Sequence, residues 1–133
     1  GSSGQFIKTD GLGNLSFATA GATLSHSDLA DATTTVATST TSTLNSFDKT
    51  VYRSAKYFIS ITDSTNSRFE IVEANVTHDG SDAYVSTFGS TTNYTGGLCV
   101  FTADMSGDDV RLRVTNISDA STVFKFQRIA VDI

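Results

Sequence analysis

The sequence predicts an all-β fold, and three observations carry that prediction. Ser and Thr make up roughly 29% of the 133 residues, well above a globular average, while apolar residues reach 38% and charged residues 17%. Thr is β-branched and suits a pleated face, and both hydroxyl residues compete with backbone hydrogen bonds inside a helix. Second, apolar residues alternate with polar ones at period two over long runs. Third, turn signals recur about every 8–12 residues, the spacing of a sandwich or barrel. Short connections make the neighbours mostly antiparallel. The reading is an antiparallel β-sandwich of seven or eight strands, of jelly-roll or immunoglobulin-like topology, preceded by an N-terminal β-hairpin appendage.

Gln5 to Thr9 and Leu15 to Thr19 read as that hairpin, turning at Asp10-Gly11-Leu12-Gly13-Asn14. A lone hairpin is not stable in water, so something must cover Phe6, Ile7, Leu15 and Phe17. Neighbouring subunits are the expected cover. Gly1 to Gly4 resembles an expression-tag scar, yet it runs smoothly into the hairpin, which favours native sequence. Ala20 to Ala32 reads as a connector with at most one helical turn, capped by Ser25 or Ser27. The length suits one domain with an appendage, assigning residues 1–32 to hairpin and connector and residues 33–133 to the sandwich.

Thr33 to Thr43 is low in complexity, but its unbroken β-branched residues read as a strand at a sheet edge, with Leu44 to Asp48 leading into the core. Val51 to Thr62 places Val51, Arg53, Ala55, Tyr57, Ile59 and Ile61 on one face over a run of period two. After a turn at Asp63 to Ser67, Arg68 to His78 forms a strand whose side chains change face between Ile71 and Val72, predicting a β-bulge there. His78 to Asp82 turns into a shorter strand, Ala83 to Phe88, and Gly89 to Gly97 is a polar loop. Leu98 to Met105, Val110 to Asn116 and Thr122 to Asp132 complete the strands.

The net charge of −5 argues against binding a phosphate backbone, which needs clustered Lys and Arg. No run approaches the ~18 apolar residues of a membrane span, so no insertion is expected. Cys99 is the only cysteine and sits in an apolar run, where a buried structural thiol is expected. The two histidines, His26 and His78, read as solvated or turn-stabilising, and neither lies in a recognisable nucleophile motif. Glu70 and Glu73 fall on opposite faces of a regular strand, which suits a paired-carboxylate site poorly. Asp104, Asp108 and Asp109 around Gly107 read as an acidic turn, since the pattern and closing Glu of a calcium loop are absent. Arg111 and Arg113 share one face, and Arg53 is expected to pair with Glu70 or Glu73. No catalytic residue, metal ligand or cofactor follows from these patterns.

For a ligand, the outstanding candidate is Tyr94 with Asn93 beside it, and Tyr84 and Phe88 on the preceding strand. An aromatic ring beside amide and hydroxyl groups can stack on a sugar while bonding its hydroxyls. The competing reading folds Tyr94 back as a lid over the sandwich end.

Two stretches carry a resemblance. GQFIKTDGLGNLSF resembles the short hairpins of tail-fibre-like structural proteins from marine and cyanobacterial tailed phages. Tyr52-Arg53-Ser54-Ala55-Lys56-Tyr57, His78-Asp79-Gly80 and Asp108-Asp109-Val110-Arg111-Leu112-Arg113-Val114 are similar to the β-sandwich module of virion structural proteins of the same phages. The resemblance implies a virion component, trimeric if it belongs to a fibre. With the hydroxyl-rich strands and no catalytic constellation in the sequence, the expected role is a non-enzymatic tail or neck fibre domain that touches other virion proteins. Contact with the host surface is part of this reading, and the alternative reading, carried by Asn93-Tyr94 and the sandwich, is a carbohydrate-binding or adhesin module with a host glycan as ligand.

Overall fold

The computed structural model describes residues 1–19 and 24–133. Among these residues ten strands follow in chain order: β1 (Gln5–Thr9), β2 (Leu15–Thr19), β3 (Ser27–Val36), β4 (Thr41–Asp48), β5 (Tyr52–Asp63), β6 (Arg68–His78), β7 (Ala83–Thr92), β8 (Cys99–Ser106), β9 (Asp109–Asn116) and β10 (Thr122–Asp132). β1 and β2 pair as the expected two-stranded hairpin. The other eight form two antiparallel sheets, ordered β3-β10-β5-β6-β7 and β4-β9-β8. The chain meanders through β5, β6 and β7 and then crosses to the second sheet. β10 returns between β3 and β5, so the first and last strands of the sandwich pair along ten residues.

The core lies between these sheets because the even-numbered residues of β6, β9 and β10 and the odd-numbered residues of β5 all point inward. Tyr57, Ile59, Ile61, Val72, Ala74, Val76, Val110, Leu112, Val114, Phe124 and Phe126 form one buried cluster with Leu44, Phe47 and Leu98. Leu44 and Phe47 are three apart and could not share one face of a regular strand. A register shift between Thr43 and Asn45 makes Leu44 an extra residue in β4, which lets both side chains enter the core.

Three expectations need correction. The helical turn near Ser25 to Asp31 does not form, and the part of that connector at residues 20–23 lies outside the described residues. Ser27 instead opens β3, upstream of Thr33, because Ser27 to Val36 pairs in register with β10 and tertiary pairing outweighs a weak capping signal. The Thr-rich run is two strands rather than one: β3 and β4 are edges of different sheets, joined by a turn in which Ser39 has φ 58°. Finally, β6 does not change face. Its even residues stay inward throughout, so Glu70 faces the core side and Phe69 stands exposed. The bulge near Ile71 is real, but Gly89 of β7, with φ 67°, belongs to the partner segment that carries the extra residue.

Candidate functional site

In the hairpin, Asp10 fixes the turn by accepting from the Leu12 amide at 2.8 Å and the Asn14 amide at 3.2 Å, while its other oxygen takes the Asn14 side chain at 2.6 Å. Gly11 and Gly13 supply the positive φ angles, 80° and 96°, that this tight loop needs. Register then sorts the four expected interface residues. Ile7 pairs with Phe17 and Thr9 with Leu15, so Ile7, Leu15 and Phe17 share one face, whereas Phe6 pairs with Ala18 on the other. All four are exposed, Leu15 at 71%.

The four candidate ligand residues do not converge. Tyr84 and Phe88 stand on the outer face of the five-stranded sheet, paired with Thr77 and Glu73. The Tyr84 hydroxyl donates to Asp79 Oδ2 at 2.9 Å. Asn93 and Tyr94 lie at the far end of β7, about 30 Å from Tyr84 along an extended strand. There the Asn93 amide is engaged at both ends: Oδ1 accepts from the Phe69 amide at 2.8 Å and Nδ2 donates to the Ser67 carbonyl at 3.0 Å. The Tyr94 ring packs partly buried against the core, with the Arg68 guanidinium 3.9 Å from its centroid. A side chain on Gly96 would come within 2.7 Å of that ring, so a glycine lets the loop close over it. This is the geometry of a lid.

Beneath the lid runs a buried polar network. Asp63, fully buried at the end of β5, accepts from Ser118 Oγ at 2.5 Å and from Asn66 Nδ2 at 2.8 Å. The Ser118 hydroxyl, with Asn66 and Arg68, holds the Asp63 carboxyl below the usual range despite burial. Asn116, also fully buried, donates to the carbonyls of Val36 and Ala120, both at 2.9 Å, closing the β9–β10 connection onto β3.

A second buried polar group is one that sequence reasoning missed. Arg128, 6% exposed, bonds Asn45 Oδ1 at 2.9 Å and the Ser46 carbonyl at 3.1 Å, and pairs with Asp28. Tyr57 donates to the same Asn45 oxygen at 2.9 Å. One cation therefore joins β10 to its neighbour β3 and to β4 of the other sheet. A signal for it is present in the chain, since Phe124, Phe126 and Ala130 bracket Arg128 on the inward face.

Several charged residues singled out by the sequence make structural contacts. Arg111 forms a two-point bond with Asp104, at 2.7 and 2.6 Å, and Arg113 approaches the same carboxylate at 3.9 Å. Arg53 does not pair with Glu70 or Glu73. It donates to the His78 carbonyl at 3.1 Å, because its odd position turns it to the inner face. Glu70 accepts from Ser90 Oγ and the Leu98 amide, and Glu73, on the outer face, pairs with Lys56 at 3.4 Å. His78 is buried and shares a 2.8 Å bond with the Tyr52 carbonyl, in which the ring nitrogen Nε2 must be the donor. His26 is exposed beside Asp132 at 3.0 Å. Burial pushes the Cys99 thiol up to about 12, with Glu70 adding to the effect, so it stays protonated and unreactive.

A hydroxyl-rich antiparallel sandwich carrying an exposed hairpin places the chain among the all-β sandwich modules. No family model matches the chain, and no curated protein matches it either. Among solved structures, the tailspike protein of Acinetobacter baumannii phage AM24 shares its fold, with a TM-score of 0.51, 11% identity and 80% of this chain covered. Two others are the tailspike of Acinetobacter phage vB_ApiP_P1 (TM-score 0.42, 17% identity, 86% covered) and gp49 of A. baumannii phage Fri1, a capsular polysaccharide depolymerase (0.39, 16%, 80%). This chain spans 26%, 23% and 18% of the lengths of those three proteins.

Proposed function

We propose that this chain is a structural module of a phage particle, a non-enzymatic tail or neck fibre domain that is trimeric and meets the host surface. The observation that carries the reading is the hairpin, whose Ile7, Leu15 and Phe17 form one apolar face that is exposed among the described residues. Three copies packed about an axis would bury those faces against one another and meet the need an isolated hairpin cannot meet alone. The resemblance of this segment to phage fibre hairpins and the fold likeness to the AM24 tailspike support the same reading. In it the sandwich is the displayed part, and the virion is its location.

Native mass spectrometry and sedimentation of the full chain test it. A trimer is expected, and Ile7→Ser with Phe17→Ser should dissociate it, whereas Phe6→Ser on the opposite face should do less. A chain that stays monomeric at high concentration overturns the fibre reading.

A further inference from the structure

Outside the hairpin, the outer face of the five-stranded sheet exposes Leu29, Phe58, Phe69, Phe88, Ile129 and Val131. Strand register orders its central row as Asp31, Gln127, Phe58, Glu73 and Phe88. Two phenyl rings, 49% and 40% exposed, thus stand two strands apart, about 10 Å, with a carboxylate between them. Lys56, in the next row, holds its ammonium 3.4 Å from Glu73 and 5.3 Å from the centroid of Phe88. A depression of about 540 Å³ lies along the β3, β10, β5 and β6 part of this row, lined by Leu29, Asp31, Lys56, Phe58, Glu73 and Gln127 among others, and Phe88 on β7 stands beyond Glu73, outside its lining.

We propose that this depression and the adjoining Phe88 together bind a neutral oligosaccharide, with one sugar ring packed on Phe58 in the depression, another on Phe88 beyond Glu73, and ring hydroxyls bonded by Lys56, Glu73 and Gln127. Four features select that ligand. Lys56 and Glu73 form an ion pair at 3.4 Å, and an ammonium carries three protons, so Lys56 keeps donors for hydroxyls while the carboxylate keeps free lone pairs. Charge is balanced on this face: Asp31 and Glu73 are offset by Lys56 and Lys125, whereas the whole chain carries −5. A neutral ligand matches it. A second copy of the chain fits less well, because the centre of a stable protein interface is depleted of charge and here an ion pair lies between the rings. Last, the bulge at Gly89 directly follows Phe88 and lies beside Glu73, where a side chain on Gly89 would stand 3.7 Å from Glu73 Oε2. Bulges of this kind re-aim the neighbouring side chain, here Phe88 on the edge strand.

The source of the sugar rests on the host-surface reading above; the site does not. The test applies the full chain to an array of neutral hexose and N-acetylhexosamine oligosaccharides beside uronic-acid and sialylated ones, followed by calorimetry with the best neutral probe. Phe58→Ala and Phe88→Ala should each weaken binding about tenfold, as loss of a central aromatic contact does, with unfolding midpoints near wild type. Glu73→Gln should weaken it less. Retention of acidic glycans alone, or binding that ignores both phenyl substitutions, overturns the proposal. So does a fall in assembly mass on Phe58→Ala without any sugar binding, which assigns the face to a second copy. A monomer that binds supports this site while sinking the fibre reading, and a trimer that binds no neutral glycan does the reverse.

Discussion

Arg68 lays its guanidinium 3.9 Å from the centroid of the Tyr94 ring and bonds Asp119 Oδ1 at 3.0 Å with the same group. One cation thereby ties the start of β6 to the loop after β7 and to the β9–β10 connection, above the buried Asp63 and Asn116. Tyr94→Ala should cost about 2 kcal/mol, combining lost apolar burial with the cation–ring contact. Gly96→Ala should produce a similar loss, because the new methyl would lie 2.7 Å from the ring and displace it. Urea unfolding reads both. A Gly96→Ala protein as stable as wild type would mean that the ring is not held there.

Asn45 Oδ1 receives both the Tyr57 hydroxyl and Arg128, so its loss should cost more than the loss of either donor's bond alone. Asn45→Ala should destabilise by about 1.5–3 kcal/mol, as for a hydrogen bond to a charged group, since Arg128 keeps Asp28 and the Ser46 carbonyl, and Tyr57→Phe by about 1 kcal/mol. Burial also pushes the Tyr57 phenol up to about 12, although Arg128 draws it down. The unfolded chain loses this proton first, so its contribution is complete below pH 10 and is lost as pH rises towards 12. Alkaline denaturation with and without Tyr57→Phe should show that difference between pH 10 and 12. Equal slopes would contradict the assignment.

Acid should act through carboxylates that accept hydrogen bonds. The Asp79 carboxyl falls to about 2, first through the Asp82 and Ser81 amides and then the Tyr84 hydroxyl, and Asp63 and Asp104 are lowered by Ser118 and Arg111. Their stabilisation is present above the ordinary carboxylate range and is lost as pH falls from about 4 towards 2. Unfolding midpoints should therefore drop over that window, and Asp63→Asn should flatten the drop. A midpoint constant down to about pH 2 would rule this out.

Much of the fold is legible in the sequence because strand patterning is local. The bounds of β1, β2, β6 and β10 follow from alternation and turn residues, and the inward row of β5 is readable from Arg53 to Ile61, although Val51, read as its first member, is exposed ahead of the strand. β3 is hidden because Ser25-His26-Ser27-Asp28 carries a capping signal, while the pairing that makes it a strand comes from β10, about a hundred residues away in the chain. The displaced bulge has a related cause. Phe69 and Ile71 look like core residues, but their strand keeps its parity and leaves them on the outer face.

By itself, the sequence determined the all-β class, the hairpin and its turn, and the split of each strand into apolar and polar faces, since these depend on side-chain period and turn chemistry. Only the tertiary structure decided which strands neighbour one another and which faces become buried. Those choices bring Phe58, Glu73 and Phe88 into one row, send Asn93 and Tyr94 to the far end as a lid, and bury Arg128 beside Asn45. The reason is that sheet register and closure are set by contacts between distant segments, which no local pattern encodes.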